Sequence, residues 1–226
     1  MARRIFQLVA IALLGVSAAW AGEIIERIVV TVNNHPILQS DWDEALRYEA
    51  FVNSVPLDRL GPLERRQALD RLIDQELLRE QMKDSDFDRA RPEEIAKRVA
   101  DLRQQHAAEH NDAAWESDLA RYGLTTRSLE RHVRLEINLA RLVEIRLRPN
   151  VRVDASSIEA YYRGEFLPQL RQSGVKDVPL VAVTPKIEEL LAQTRVNELL
   201  TAWLRDLRGQ SEIRLNGENG AGVSAQ

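Results

Sequence analysis

A mainly α fold follows from three features of the 226-residue sequence: a multi-helix body with a short N-terminal β-hairpin joined by a C-terminal strand. From residue 40 to residue 209 apolar side chains recur at helical spacing, and proline or glycine marks the breaks. Residues 27–32 are mostly β-branched and read as a strand, and residues 212–215 read as one more short strand near the other end of the chain. The chain has no cysteine, so disulfides cannot hold it and a single apolar core must.

The elements follow in order. Ile28, Val29, Val30, Thr31 and Val32 predict a strand, Asn33-Asn34 a turn that needs positive φ, and Pro36, Ile37 and Leu38 a short returning edge strand. Ser40 is placed to cap a first helix to about residue 53, with Asp43 as its capping-box partner. Pro62 opens a second helix to about residue 83, whose buried stripe is Leu69, Leu72, Ile73 and Leu77. Pro92 opens a third, with Ile95, Val99, Leu102 and His106 on one face. Asp112 or a neighbour caps a fourth, which carries Trp115, Leu119 and Tyr122 and stops at Gly123 with Leu124 as its apolar end contact. Thr125 caps a long fifth helix that Pro149 ends, and Asp154 caps a sixth. Residues 166–184 have no clean period and predict an apolar loop. Thr184-Pro185 starts a seventh helix, and residues 212–215 form the last strand. A lone hairpin is marginally stable, so Ile213 and Leu215 are expected to add a third strand beside residues 29–32.

Residues 1–21 combine Arg3-Arg4, an apolar run and Ala19-Trp20-Ala21, the order of a cleavable secretory signal peptide. The formal net charge is −4, and loss of Arg3 and Arg4 makes it more negative. Such a surface argues against nucleic acid and anionic lipid as partners. No P-loop, G-x-G-x-x-G or G-x-S-x-G motif is present, so no nucleotide, cofactor or serine-hydrolase site is expected.

His106, Glu109 and His110 match the H-x-x-E-H pattern of inverted zinc metalloproteases, and a zinc hydrolase is one remote alternative. A third protein ligand is not evident, and the polar helix end is better suited to a solvated last turn. His35 reads as a turn residue and His132 as an exposed or half-packed one. The alternating charges of the second helix, from Glu64 to Glu80, read as a solvated face with i,i+4 pairs.

The fifth helix carries two apolar stripes, Leu129-Val133-Ile137-Ala140 and Leu135-Leu139-Leu142. Such a helix is either central to the core or buries one face and offers the other to a ligand. Leu135, Leu139, Tyr161, Tyr162 and Phe166 are the candidates for a peptide-binding cleft.

Residues 28–41 (IVVTVNNHPILQSD), 67–78 (QALDRLIDQELL), 115–124, the fifth helix and 153–162 (VDASSIEAYY) together resemble SurA-type periplasmic chaperones, in the trigger factor/SurA peptide-binding superfamily. The resemblance covers about residues 26–166 and returns weakly at the end of the chain. It implies a SurA-like core divided into an N-terminal helical part (22–165), the apolar loop (166–184), and a C-terminal helix and strand (185–215) that complete it. A tail (216–226) is expected to be disordered. Members of the family usually carry parvulin prolyl-isomerase domains where the loop stands, and the loop is far shorter than the roughly 50 residues a domain needs. What the resemblance implies is therefore a periplasmic, ATP-independent holdase without isomerase activity. Its partners would be unfolded clients, outer-membrane proteins foremost. The alternative class is a structural or adaptor protein holding one dedicated partner, with a homodimer as one form of it.

Overall fold

The computed structural model describes residues 26–83, 85–106 and 111–216. The expected signal peptide, Glu109, His110 and the tail beyond residue 216 lie outside the described residues. Strands β1 (Ile28–Val32) and β2 (His35–Leu38) are followed by helices α1 (Gln39–Val52), α2 (Pro62–Lys83), α3 (Pro92–His106), α4 (Asp112–Arg121), α5 (Thr126–Leu147) and α6 (Ala155–Tyr161). After a π-helical turn at Tyr162–Phe166 come α7 (Leu167–Gln172), α8 (Leu180–Gln210) and strand β3 (Ile213–Leu215).

The mainly helical class and the joining of the two chain ends hold. The sheet order is β2-β1-β3, antiparallel throughout, with Val30 opposite Leu215 and Val32 opposite Ile213. Asn33 and Asn34 both have positive φ, 44° and 69°, as a two-residue hairpin turn requires. Asn33 does more than turn the chain. Its Nδ2 donates to Glu80 Oε2 (2.8 Å) and Ser211 Oγ (3.0 Å), while Glu212 N–H donates to Asn33 Oδ1 (2.8 Å). One side chain thus latches the hairpin to α2 and to the end of α8. Asn216, expected in the tail, instead continues the ladder by donating its N–H to Val29 O at 2.8 Å.

Two main clusters form the core. The first joins Val30, Val32 and Ile37 of the hairpin to Trp42, Leu46, Ile73, Leu77, Leu78 and Leu142, and α8 closes it with Leu207 and the half-buried Leu200, Trp203 and Leu204. The second gathers Phe51, Ile95, Leu102, Trp115, Leu119, Leu124, Leu129 and Val133 from α1, α3, α4 and α5. Phe51 is fully buried there, stacked on His106 at 4.2 Å and edge-on to Trp115 and Tyr122. Gly123 (φ +65°) ends α4 as predicted: Leu124 N–H donates to Leu119 O and Gly123 N–H to Ala120 O, and Leu124 is buried.

Some expectations are corrected. Ser40 is not the cap of α1. The cap position is Leu38, two residues earlier; Asp41 Oδ2 accepts the Leu38 N–H at 3.0 Å, while Asp43 pairs with Arg65. The charges of α2 do not form one solvated face. Arg65 reaches Asp43, Arg71 reaches Glu49, and Asp74 takes Arg208 at 2.6 Å, so they link α2 to α1 and α8. Glu76 is buried and paired with Arg79.

The predicted loop 166–184 is largely helical, and α8 begins at Leu180, five residues before Pro185. The missing Pro185 N–H leaves the Val181 carbonyl without its helical donor. Val181 is 85% exposed, so water can take that place. The π turn explains the lost period, because one extra residue per turn rotates the apolar stripe out of a regular 3.6-residue register.

Candidate peptide-binding grooves

Helix α5 uses both of its stripes. Leu129 and Val133 are buried in the second cluster, with Ile137 packed against it. Leu142 is buried in the first, with Leu135 and Leu139 packed against that one. The helix is therefore the wall between two cores, which is the central-helix alternative of the two the stripes allowed. Ala140 is exposed. Thr125 holds the start of the helix in a reciprocal cap with Ser128 (Ser128 N–H to Thr125 Oγ1, 3.1 Å).

The five candidate residues do not meet in one cleft. Leu135 borders a groove of about 440 Å³ between β2, α2 and α5, walled by charged Glu44, Arg79 and Arg131. Leu139 packs on the first cluster. Tyr161, Tyr162 and Phe166 are brought together elsewhere, in a third cluster with Ile158, Val183 and Ile187 where α6 meets the start of α8. Tyr162 and Phe166 stack at 5.9 Å, and the Tyr162 hydroxyl donates to Val178 O at 2.7 Å. All three rings are half-buried.

Two further openings contain none of the five candidate residues, and the first is the more apolar. One, of about 800 Å³, lies between the start of α2, α1 and β3, lined by Trp42, Pro62, Leu63, Leu69, Ile73 and Leu215 with Arg65, Arg66 and Asp70 at its rim. Leu63 is 62% exposed and Leu215 41%, high for large apolar side chains. The Trp42 indole N–H donates to Arg65 O (2.8 Å) and the Arg65 guanidinium lies 4.9 Å above the ring, so the wall is rigidly held. A second opening, of about 720 Å³, lies between α5 and α8 beside Phe87, Ile145 and Trp203. The sequence held a faint signal for the first: Leu63 sits off the α2 stripe defined by Leu69, Leu72, Ile73 and Leu77.

Around these grooves the titratable groups are engaged in structure. His132 stacks on Tyr48 at 4.5 Å with Nε2 3.0 Å from Glu44, and burial holds its pKa below the ordinary histidine value against the pull of Glu44. Burial and the hydrogen bond to Glu136 push the Tyr48 phenol well up. Burial against Phe51 likewise lowers His106, whose Nδ1 lies 3.4 Å from Ser54 Oγ. Asp154, capping α6, is pulled down to about 2 by hydrogen bonds from Ser156 and Ser157. Among the described residues, no three His, Cys, Asp or Glu side chains are grouped to hold a metal ion.

The hairpin, its Asn-Asn turn and the helices packed on it are thus those of a known sequence family: the SurA-like N-terminal domain matches residues 1–143. The chain belongs to the SurA-like N-terminal domain family. No curated protein matches it. The family is of the chaperone type. The match stops within α5, whereas the first cluster of this SurA-like chain is closed by Leu207 of α8 and by β3. The apolar groove itself draws Trp42, Leu63, Leu69 and Ile73 from the matched part and Leu215 from beyond it. Among the described residues, no helix is long and apolar enough to cross a membrane.

Proposed function

We propose that this SurA-like protein is a periplasmic holdase that binds unfolded or extended polypeptides, outer-membrane proteins among them, without nucleotide and without prolyl isomerase activity. The observation that carries the reading is the groove of Trp42, Leu63, Leu69, Ile73 and Leu215, apolar surface left open on a well-packed helical body. Membership of a chaperone-type family supports it. Binding an unfolded chain lowers its free concentration and so slows its aggregation by mass action. Each client side chain buried there contributes about 1.5–3 kcal/mol before the cost of ordering the client, which favours broad, moderate affinity.

Leu135, in its charged groove, and the Tyr161, Tyr162 and Phe166 cluster are proposed as further client contacts. The short connection between α7 and α8 supports the absence of an isomerase domain. Residues 1–21 support export by a signal peptide. The test is light scattering of a urea-unfolded outer-membrane protein on dilution. Molar excess of the protein should suppress aggregation equally with and without ATP. No suppression at any ratio removes the holdase reading. A fixed complex with one partner and no effect on unfolded proteins would establish the adaptor alternative instead.

A further inference from the structure

We infer that the clients taken by the apolar groove are amphipathic β-segments, with alternate apolar residues, which dock by adding a strand to the free edge of β3. This deepens the holdase reading and rests on it.

The backbone pattern points to the edge. Asn33 N–H donates to Glu212 O and Asn216 N–H to Val29 O, with Thr31 opposite Arg214 between them. In an antiparallel ladder the residues whose backbone groups face the partner strand alternate. Glu212, Arg214 and Asn216 therefore face β1, and the N–H and C=O of Ile213 and Leu215 face away from the sheet. No hydrogen bond joins those groups to any described residue. The opposite edge of the sheet is treated differently. Thr31 turns its backbone groups toward β3, so its β2 partner Pro36 faces outward, and a proline has no N–H to offer there.

Side chains point to the same occupant. Leu215 is opposite Val30, which is fully buried, so the Leu215 side chain lies on the core face of the sheet and forms one wall of the groove. A strand added outside β3 would place every second side chain on that face, over Trp42, Leu63 and Leu69, and the others in water. A segment with alternate apolar residues satisfies both sides, and a contiguous apolar run or an amphipathic helix does not. Alternation over about ten residues is the signature of a transmembrane β-strand. Arg66, at the rim, has no ion pair among the described residues and complements an acidic group on the polar side of the client. The protein's own residues 217–226 follow β3 directly but offer only Val223 as an apolar side chain larger than alanine, too little to fill this groove.

The experiment measures binding of a fluorescent peptide of about ten residues alternating valine and threonine, against a shuffled peptide of the same composition and one N-methylated at alternate residues. The alternating peptide should bind best. Leu215→Pro removes the outward N–H together with the leucine wall of the groove and should weaken binding at least about fivefold. Leu63→Asp, at an exposed position that should leave the melting curve unchanged, should weaken it about tenfold or more. Equal binding by both variants and the wild type, while the wild type still suppresses aggregation, overturns the strand-addition site and leaves the holdase reading standing. Absence of both peptide binding and suppression in the wild type overturns the two together. Tighter binding after deletion of residues 217–226 would make the tail the occupant. A dimer dissolved by Leu215→Pro would make it a second copy, and either result overturns the proposal.

Discussion

Replacing Asn33 tests how the two chain ends are held together. Asn33→Gly keeps a residue that accepts φ near +44° and deletes only the side chain. Three hydrogen bonds go with it: two donated by Nδ2 to Glu80 and Ser211, and one accepted by Oδ1 from Glu212 N–H. At about 1 kcal/mol each the loss is roughly 3 kcal/mol. Glu80 is not left stranded, because His35 Nδ1 stays 3.2 Å from its other oxygen, so no large desolvation penalty is added. Asn33→Ala removes the same bonds and keeps a Cβ in the left-handed region without asparagine's tolerance of it, so it should be less stable than the glycine variant by about 1 kcal/mol. Urea unfolding followed by circular dichroism measures both. In a chain of this size the glycine variant should melt roughly 10 °C lower. Hydrogen exchange supplies a local readout: the Asn216 amide, bonded to Val29 O, should lose protection before the core of α2 does. A glycine variant within about 0.5 kcal/mol of the wild type would show that the latch contributes nothing beyond an ordinary surface side chain. An alanine variant no worse than the glycine one would refute the backbone part.

Phe51→Ala should destabilise the protein by about 3–5 kcal/mol, because the ring is fully buried against His106, Trp115 and Tyr122. A loss below about 1 kcal/mol in urea unfolding would mean the second cluster collapses around the gap. Burial depresses the pKa of His132 in the folded state, so between that value and about 6.5 the unfolded chain binds more protons. Stability should be insensitive to His132 above pH 7 and fall as pH drops below about 6.5; His132→Gln should flatten that slope, and a variant as pH-dependent as the wild type would contradict the assignment.

How much of this was legible in the sequence varies with the length scale of the cause. Turn, cap and stop chemistry is local, and it was readable at Asn33-Asn34, Thr125, Asp154 and Gly123. Strand β3 was readable at one remove, because a two-stranded hairpin needs a third partner and only Ile213 and Leu215 offered one. Pro185 misled, since proline marks a helix start far more often than it sits in a first turn and a half whose freed carbonyl faces water. The π turn at residues 162–166 erased the period by which α7 would have been seen. The α2 charges misled because i,i+4 spacing is visible in a sequence and pairs such as Arg208 with Asp74 are not. The cleft candidates failed to converge for a related reason. Leu135 and Tyr161 are equally amphipathic in the sequence, and only the packing of α5 between two cores assigns them to different clusters.

The same closure that stabilises the chain also creates its open surface. Contacts between β1 and β3 span nearly the whole chain, so they are the most non-local in the fold and carry a large loop-closure entropy. Until they form, α8 does not seal Val30, Val32 and Leu78, and the groove lacks its Leu215 wall. An open form therefore exposes core residues that a client could trap, whereas the closed form exposes only the groove and the β3 edge. Client capture through that edge requires the closed form, and the apparent affinity falls by the fraction of molecules that are open. A variant such as Asn33→Gly, which touches no groove residue, should weaken client binding only once the Asn216 amide has lost nearly all its protection, because the closed fraction stays near one until then. Across a series of latch variants affinity should hold and then fall as the last of that protection disappears. Client affinity that is unchanged while the Asn216 amide exchanges freely would show that clients are gripped elsewhere on the molecule.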